Sequence, residues 1–191
     1  MAPKKAPKKA AKKSVKDHDK KHPEGKEGKD LRRAYEHLGR LTTLEKLLPA
    51  AVTAQIAILT YLAQKSLLAG EPKSAADLFR AGEHLAFGSL AAQARATRVS
   101  DDLASTLNAE YEHLTDKADE HWQKHEGDRP SAIEEIYDAM LQSANAALQK
   151  EAYRRALEFA RGAEALAHVH GATMPLLEET APAKKPKRLR D

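Results

Sequence analysis

With 191 residues the chain suffices for one domain or two small ones, and with no cysteine it excludes disulfide staples and thiolate metal sites and points to a reducing compartment. Its formal net charge of +4 hides a division: residues 1–29 hold eleven Lys against four acids (+7), residues 181–191 hold five Lys and Arg against one acid (+4), and residues 30–180 are left at −7. A body that gripped a polyanion through its own surface would be basic, so the pattern assigns any such contact to the two ends.

The first sixteen residues, MAPKKAPKKAAKKSVK, set Lys4, Lys5, Lys8, Lys9, Lys12, Lys13 and Lys16 among Ala and Pro with no acid between them. The stretch cannot bury enough apolar surface to offset its ordering entropy, so disorder is expected, and a disordered polycation releases counterions when it meets a polyanion. It has no apolar h-region and no Arg, so neither a secretory nor an organellar signal is read. Residues 17–29, DHDKKHPEGKEGK, contain no apolar side chain and read as a flexible linker.

From Asp30 the period becomes helical. A first helix is predicted from Asp30 to Leu48, with Leu31, Tyr35, Leu38, Leu41, Leu44 and Leu48 on one face, ended by Pro49. A second covers Ala50 to Ala69. Its apolar residues (Val52, Ile56, Ile58, Leu59, Leu62, Leu67, Leu68) surround the circumference, so it is expected to be the central buried helix. Pro49 to Gln64 carries no charge, but a bilayer span needs about 20 apolar residues, so no membrane association is expected. Gly70-Glu71-Pro72 is a turn, and Ser74 is expected to cap a third helix whose Gly82, Ala86 and Ser89 permit close approach.

Ser100 caps a fourth helix, with Asp101 and Asp102 at the positive end of its dipole and Leu103, Leu107, Tyr111, Leu114, Ala118 and Trp122 as its stripe. Residues 127–130 break the pattern. Ser131 and Glu134 then form the capping box of a fifth helix carrying Ile133, Ile136, Tyr137 and Met140. A sixth starts near Tyr153, uses Ala156, Phe159, Ala163 and Leu166, and stops at Gly171. The fold class expected is all-α: an acidic domain of about six helices over residues 30–180, with halves 30–98 and 99–171, flanked by disordered basic tails at 1–29 and 181–191.

Two internal alignments stand out. Tyr35-Glu36-His37-Leu38 recurs as Tyr111-Glu112-His113-Leu114, and Arg80-Ala81-Gly82-Glu83 pairs with Arg161-Gly162-Ala163-Glu164 at an offset of 81. Either helices one to three are duplicated as helices four to six, or Ala/Leu/Glu-rich helices align by composition alone. Within each half the last two helices resemble a degenerate tetratricopeptide hairpin. Ala75, Phe79 and Gly82 stand at that family's small, aromatic and small positions, and Tyr153, Ala156, Ala160 and Ala163 at the equivalents. The family's first-helix Trp is absent. The resemblance implies a protein-binding groove and assigns no binding residue.

The Lys/Ala/Pro pattern of residues 2–16 resembles the tails of linker histones and of bacterial nucleoid proteins. With no aromatic residue to stack on bases, it implies phosphate contact without base readout. Seven Lys on duplex phosphates give a salt slope of about −6. Lys184-Lys185-Pro186-Lys187-Arg188, with Arg190, resembles a nuclear import signal and is also a second basic patch, so two basic ends either bridge two polyanion segments or clamp one.

His121 and His125 are spaced i, i+4, but Trp122 stands where a metalloprotease helix has Glu, and Glu110-x-x-His113 has no acid in its duplicate, where Ala34 stands. These histidines are read as half-exposed helix residues, and His168 and His170 as complementing a helix C-terminus, so no metal and no cofactor is assigned. No phosphate loop, nucleophile elbow or catalytic triad order appears, so no enzyme is expected. The expected function is sequence-independent binding of DNA or RNA by Lys4, Lys5, Lys8, Lys9, Lys12, Lys13, Lys16, Lys184, Lys185, Lys187, Arg188 and Arg190, with a protein partner or self-association on the helical body. The expected location is cytoplasmic, at the nucleoid in a bacterium or in the nucleus in a eukaryote. The alternatives are a tetratricopeptide-like adaptor whose tails serve solubility or targeting, and a metal- or ligand-binding helical bundle.

Overall fold

The computed structural model describes residues 25–91, 99–124 and 129–169. Among these the architecture is all-α with six helices: α1 (Lys26–Glu45), α2 (Ala50–Leu68), α3 (Pro72–Ala91), α4 (Asp101–Gln123), α5 (Ser131–Leu148) and α6 (Tyr153–Ala167). None is long and apolar enough to cross a membrane.

The core is built on α3 and α6, not on α2. Helix α1 and helix α2 both pack on α3, α4 and α5 both pack on α6, and α3 packs on α6. Small side chains make this possible. Along α3, Ala75, Ala76, Ala81, Gly82, Ala86 and Gly88 are buried, and along α6, Ala156, Ala160, Gly162, Ala163, Ala165 and Ala167. A β-carbon at Gly88 would lie 2.8 Å from the Phe159 ring, and one at Gly162 would lie 2.9 Å from Met140 Cε. Phe79 and Leu78 on α3, Ile56, Leu59 and Leu62 on α2, Leu41 on α1 and Leu166 on α6 fill the remaining volume, each worth about 1.5–3 kcal/mol of burial.

Ion pairs give the helix directions. Arg80 meets Glu164 and His84 meets Glu158, so residue number rises on α3 as it falls on α6, and the two run antiparallel. On α1, His37 and Arg40 both reach Glu83 of α3, while Asp30 is within electrostatic reach of Asp77, so α1 and α3 run parallel.

Both inner hairpins close with the same backbone motif. At the end of α2 the N–H of Glu71 donates to the Ser66 carbonyl (2.8 Å) and that of Gly70 to Leu67 (3.1 Å), with Gly70 at φ 78°. At the end of α5 the N–H of Ala152 donates to Ala147 (2.9 Å) and that of Glu151 to Leu148 (2.9 Å), with Glu151 at φ 55°. This is the left-handed C-terminal cap that glycine favours, here once with glycine and once without.

Several boundaries differ from the sequence expectation. Helix α1 starts at Lys26, so residues 26–29 are helix and not linker. Helix α3 starts at Pro72, a residue suited to a first helical position, which leaves Ser74 buried inside the helix and not at its cap. Pro130 is the N-cap of α5 and makes no side-chain cap bond, so the Ser131–Glu134 box is not formed. Ser100 does cap α4, accepting from the Leu103 N–H at 3.4 Å.

Candidate interaction surfaces

Every residue named as a tail contact lies outside the described residues: Lys4, Lys5, Lys8, Lys9, Lys12, Lys13 and Lys16 before them, and Lys184, Lys185, Lys187, Arg188 and Arg190 after them. Where the tails attach is described. Asp30 near the start of α1 and His168 just past the end of α6 are both within electrostatic reach of one half-buried carboxylate, Asp77 near the start of α3. Lys26 precedes Asp30 by about 6 Å of helix, and Val169 follows His168 directly. Both ends of the described body therefore leave from the same end of the bundle.

Arg129 organises that end. Buried in the segment read only as a break, it donates from Nε to the Val169 carbonyl (3.2 Å), from Nη1 to Trp122 (3.0 Å) and from Nη2 to Ala167 (3.0 Å). One guanidinium thus serves the carbonyls left over at the C-terminal ends of α4 and α6. Its Cζ lies 4.0 Å from the centre of the Trp122 ring, Trp122 stacks on Tyr137 with ring centres 3.7 Å apart, and the Tyr137 hydroxyl donates to Asp119 at 3.0 Å.

A seam of ion pairs crosses the body. Glu83 accepts from His37 Nδ1 (2.6 Å) and Arg40 Nε (2.7 Å). Burial pushes its carboxyl up, but these two bonds outweigh burial and hold it below its ordinary 4.5. Arg80 binds Glu164, His84 binds Glu158 at 2.8 Å, and Arg161 binds Glu110 at 2.6 Å. These pairs tie α1 to α3, α3 to α6 and α6 to α4. Each partner is engaged by a group on the next helix, so the seam cross-links the bundle.

The histidines take their places in this scheme. Glu110 of the Glu110-x-x-His113 spacing is taken by Arg161, and His113 is exposed. The His121 ring packs 4.1 Å from His168, while His125 lies outside the described residues. Among the described residues no three His, Asp or Glu come together at metal-binding distances. His168 Nδ1 donates to the Glu164 carbonyl at 2.8 Å, but burial lowers its pKa. It serves the helix end as a hydrogen-bond donor more than as a cation. Asp77 is pushed up by burial despite Arg80, His168 and Lys73, and its Oδ2 has no hydrogen-bond partner.

The apolar surface is unevenly divided. Of the seven large hydrophobic residues exposed among the described residues, six (Leu31, Tyr35, Leu47, Ile58, Tyr61, Leu68) lie on α1, α2 or the turn between them. Helices α1 and α2 each pack on α3 but scarcely on each other, which leaves a groove of about 210 Å³ lined by Leu38, Thr42 and Glu45 on one side and Ala57, Tyr61 and Gln64 on the other. The charge is divided the opposite way. Residues 30–98 hold nine basic and six acidic side chains (+3), and residues 99–180 hold seven and seventeen (−10). On α5 the exposed side chains include Glu134, Glu135, Asp138, Gln142 and Asn145. The apolar girth of α2, taken in the sequence for burial all round, is divided: Ile56, Leu59 and Leu62 are buried against the core, while Ile58, Tyr61 and Leu68 face solvent.

No protein-family model, no curated protein and no solved structure matches this chain.

Proposed function

We propose that this is a non-enzymatic, nucleic-acid-associated protein that holds DNA or RNA without sequence specificity through its two basic ends, while the helical body makes protein contacts. The observation that carries this reading is the shared exit of the two ends. Lys26 and Val169 lie at one end of a body whose own sequence is acidic, so the segments that lead to the basic stretches leave from that one end, which favours clamping one polyanion segment over bridging two. The contact takes place at the nucleoid of a bacterium or in the nucleus of a eukaryote. The like packing of α1, α2 on α3 and of α4, α5 on α6, and the matching caps at Gly70 and Glu151, support a tandem duplication of a three-helix unit.

The test is duplex binding at several salt concentrations by the full chain and by residues 25–180. Seven Lys alone give a slope near −6, and twelve cations from both ends on one duplex give a slope near −11. The full chain is expected near the larger value, the trimmed chain near zero. Equal affinity of the two rejects the reading. The bare apolar surface of α1 and α2 favours a second reading, a tetratricopeptide-like helical adaptor whose tails serve only solubility or targeting. That reading predicts weak binding with no steep slope for either chain.

A further inference from the structure

We propose that the outward face of α2 is a self-association surface, on which α2 of a second copy of this chain docks antiparallel. The proposal gives the body's protein contact in the function above a definite partner, and it is tested without nucleic acid, so the two can fail separately.

From Ala50 to Leu68 every exposed residue is uncharged: Ala50, Ala51, Ala54, Ala57, Ile58, Tyr61, Gln64 and Leu68. Leu68 is 84 % exposed and Tyr61 43 %. Six of these residues, 50, 54, 57, 61, 64 and 68, alternate at spacings of four and three. That is the seam spacing of a coiled-coil helix, here facing solvent. The small residues occupy its first half and the large ones its second. Laid antiparallel on a copy of itself with residue 59 at the centre, the seam sets Leu68 opposite Ala50, Gln64 opposite Ala54 and Tyr61 opposite Ala57, once on each side of the two-fold axis. Large therefore meets small in every layer, an isologous fit that a parallel pairing lacks, because it stacks Tyr61 on Tyr61. Alanine on the seam lets the axes approach to about 8 Å.

Charge permits the same arrangement. Two charged side chains flank this face: Glu45 of α1, across the groove from Ala57, Tyr61 and Gln64, and Lys65, half-buried with its Nζ 5.4 Å from the Tyr61 ring, which in the antiparallel pair comes beside Thr53. The acidic excess lies in the second half of each copy, whose α5 packs only lightly against α2. The corresponding helix of that half, α5, presents Glu134, Glu135 and Asp138 outward and would repel a copy of itself. Size sets the strength. A helix of 19 residues is about 28 Å long, and a pairing along it, with Leu47 added at each end, buries on the order of 1,000 Å² in total. That is below the standard interface, so a weak, reversible dimer is expected.

Sedimentation of the full chain across concentrations from about 1 to 300 μM is expected to show a monomer–dimer equilibrium. Ala57→Glu and Leu68→Lys, both at exposed positions, are expected to weaken it at least tenfold with unchanged helical circular dichroism, and Gln142→Glu on α5 leaves it unaltered. The chain has no cysteine, so register can be read directly. A mixture of Ala54→Cys and Gln64→Cys chains, one of them tagged, is expected to give the mixed disulfide on oxidation. Ala54→Cys alone gives none, since its own counterpart is about 15 Å away, against a Cα separation of under about 7 Å for a disulfide. A chain that stays monomeric throughout, or an Ala54→Cys homodimer in place of the mixed product, overturns the proposal.

Discussion

The matched hairpin ends allow a single backbone angle to be tested twice with opposite signs. At Gly70 the chain takes φ 78° with a glycine, and at Glu151, 81 residues later, it takes φ 55° with a side chain. A β-carbon in the left-handed region costs about 1–2 kcal/mol, because it crowds the following carbonyl. Glycine returns about 0.5–1 kcal/mol of this through its greater freedom in the unfolded chain. Glu151→Gly is therefore expected to stabilise the fold by about 0.5–1 kcal/mol. Gly70→Ala is expected to destabilise it by about 1 kcal/mol, although no atom lies within 4 Å of the added carbon, so that the loss is purely one of backbone angle. For a body of this size 1 kcal/mol corresponds to roughly 2–4 °C in melting temperature. Thermal unfolding followed by circular dichroism should show Tm rising for Glu151→Gly and falling for Gly70→Ala. Should Glu151→Gly melt lower than the parent, the left-handed assignment at that turn is wrong.

Arg129→Ala leaves several buried carbonyls at the ends of α4 and α6 without their donor, and is expected to cost about 3 kcal/mol in urea unfolding, more than any exposed charge removal. Glu83→Gln weakens two charge-assisted bonds and is expected to cost about 2 kcal/mol at pH 7, a difference that shrinks once pH falls below about 4.5, where the parent carboxylate protonates too. Burial holds the folded His168 below its ordinary 6.5, so on acidification the unfolded chain takes up that proton first. The His168 contribution is complete above about pH 6.5 and declines as pH drops through the lowered value, and His168→Gln should flatten a stability–pH curve in that interval. Gly88→Ala drives a methyl against the Phe159 ring and is expected to lower Tm by several degrees, with Phe159→Leu in the same chain recovering part of the loss.

The six helices were legible because Gly70, Pro72, Ser100 and Pro130 punctuate a strong helical period. The close approach at Gly82 was foreshadowed by the small residues Gly82, Ala86 and Ser89 on α3, whereas the tighter one at Gly88, against Phe159, was not singled out. What failed was the choice of the centre. Helix α2 is the most apolar of the six, and on periodicity alone girth means burial. Burial, however, depends on which helices are slim enough to be surrounded, and that role falls to the alanine- and glycine-rich α3 and α6, whose polar residues Glu83, Arg80 and Glu164 pair across the seam. Arg129 was passed over because its partners are carbonyls from two helices distant in sequence. No composition rule flags such a residue, although a basic side chain just after one helix and before a Pro is a cue worth weighing. The start of α1 was missed because Glu27 and Lys29 carry no apolar signal. They are helical as the first turn of a helix whose stripe begins further on.

The common exit of Lys26 and Val169 changes the arithmetic of attachment. On the proposed function, two arms rooted at one end of the bundle do not search for a polyanion independently: once one has landed, the other finds itself at a local concentration in the millimolar range. Removing either arm should then forfeit far more avidity than its share of the cations, and lengthening the short spacer after Lys16 should loosen the hold without subtracting a single charge.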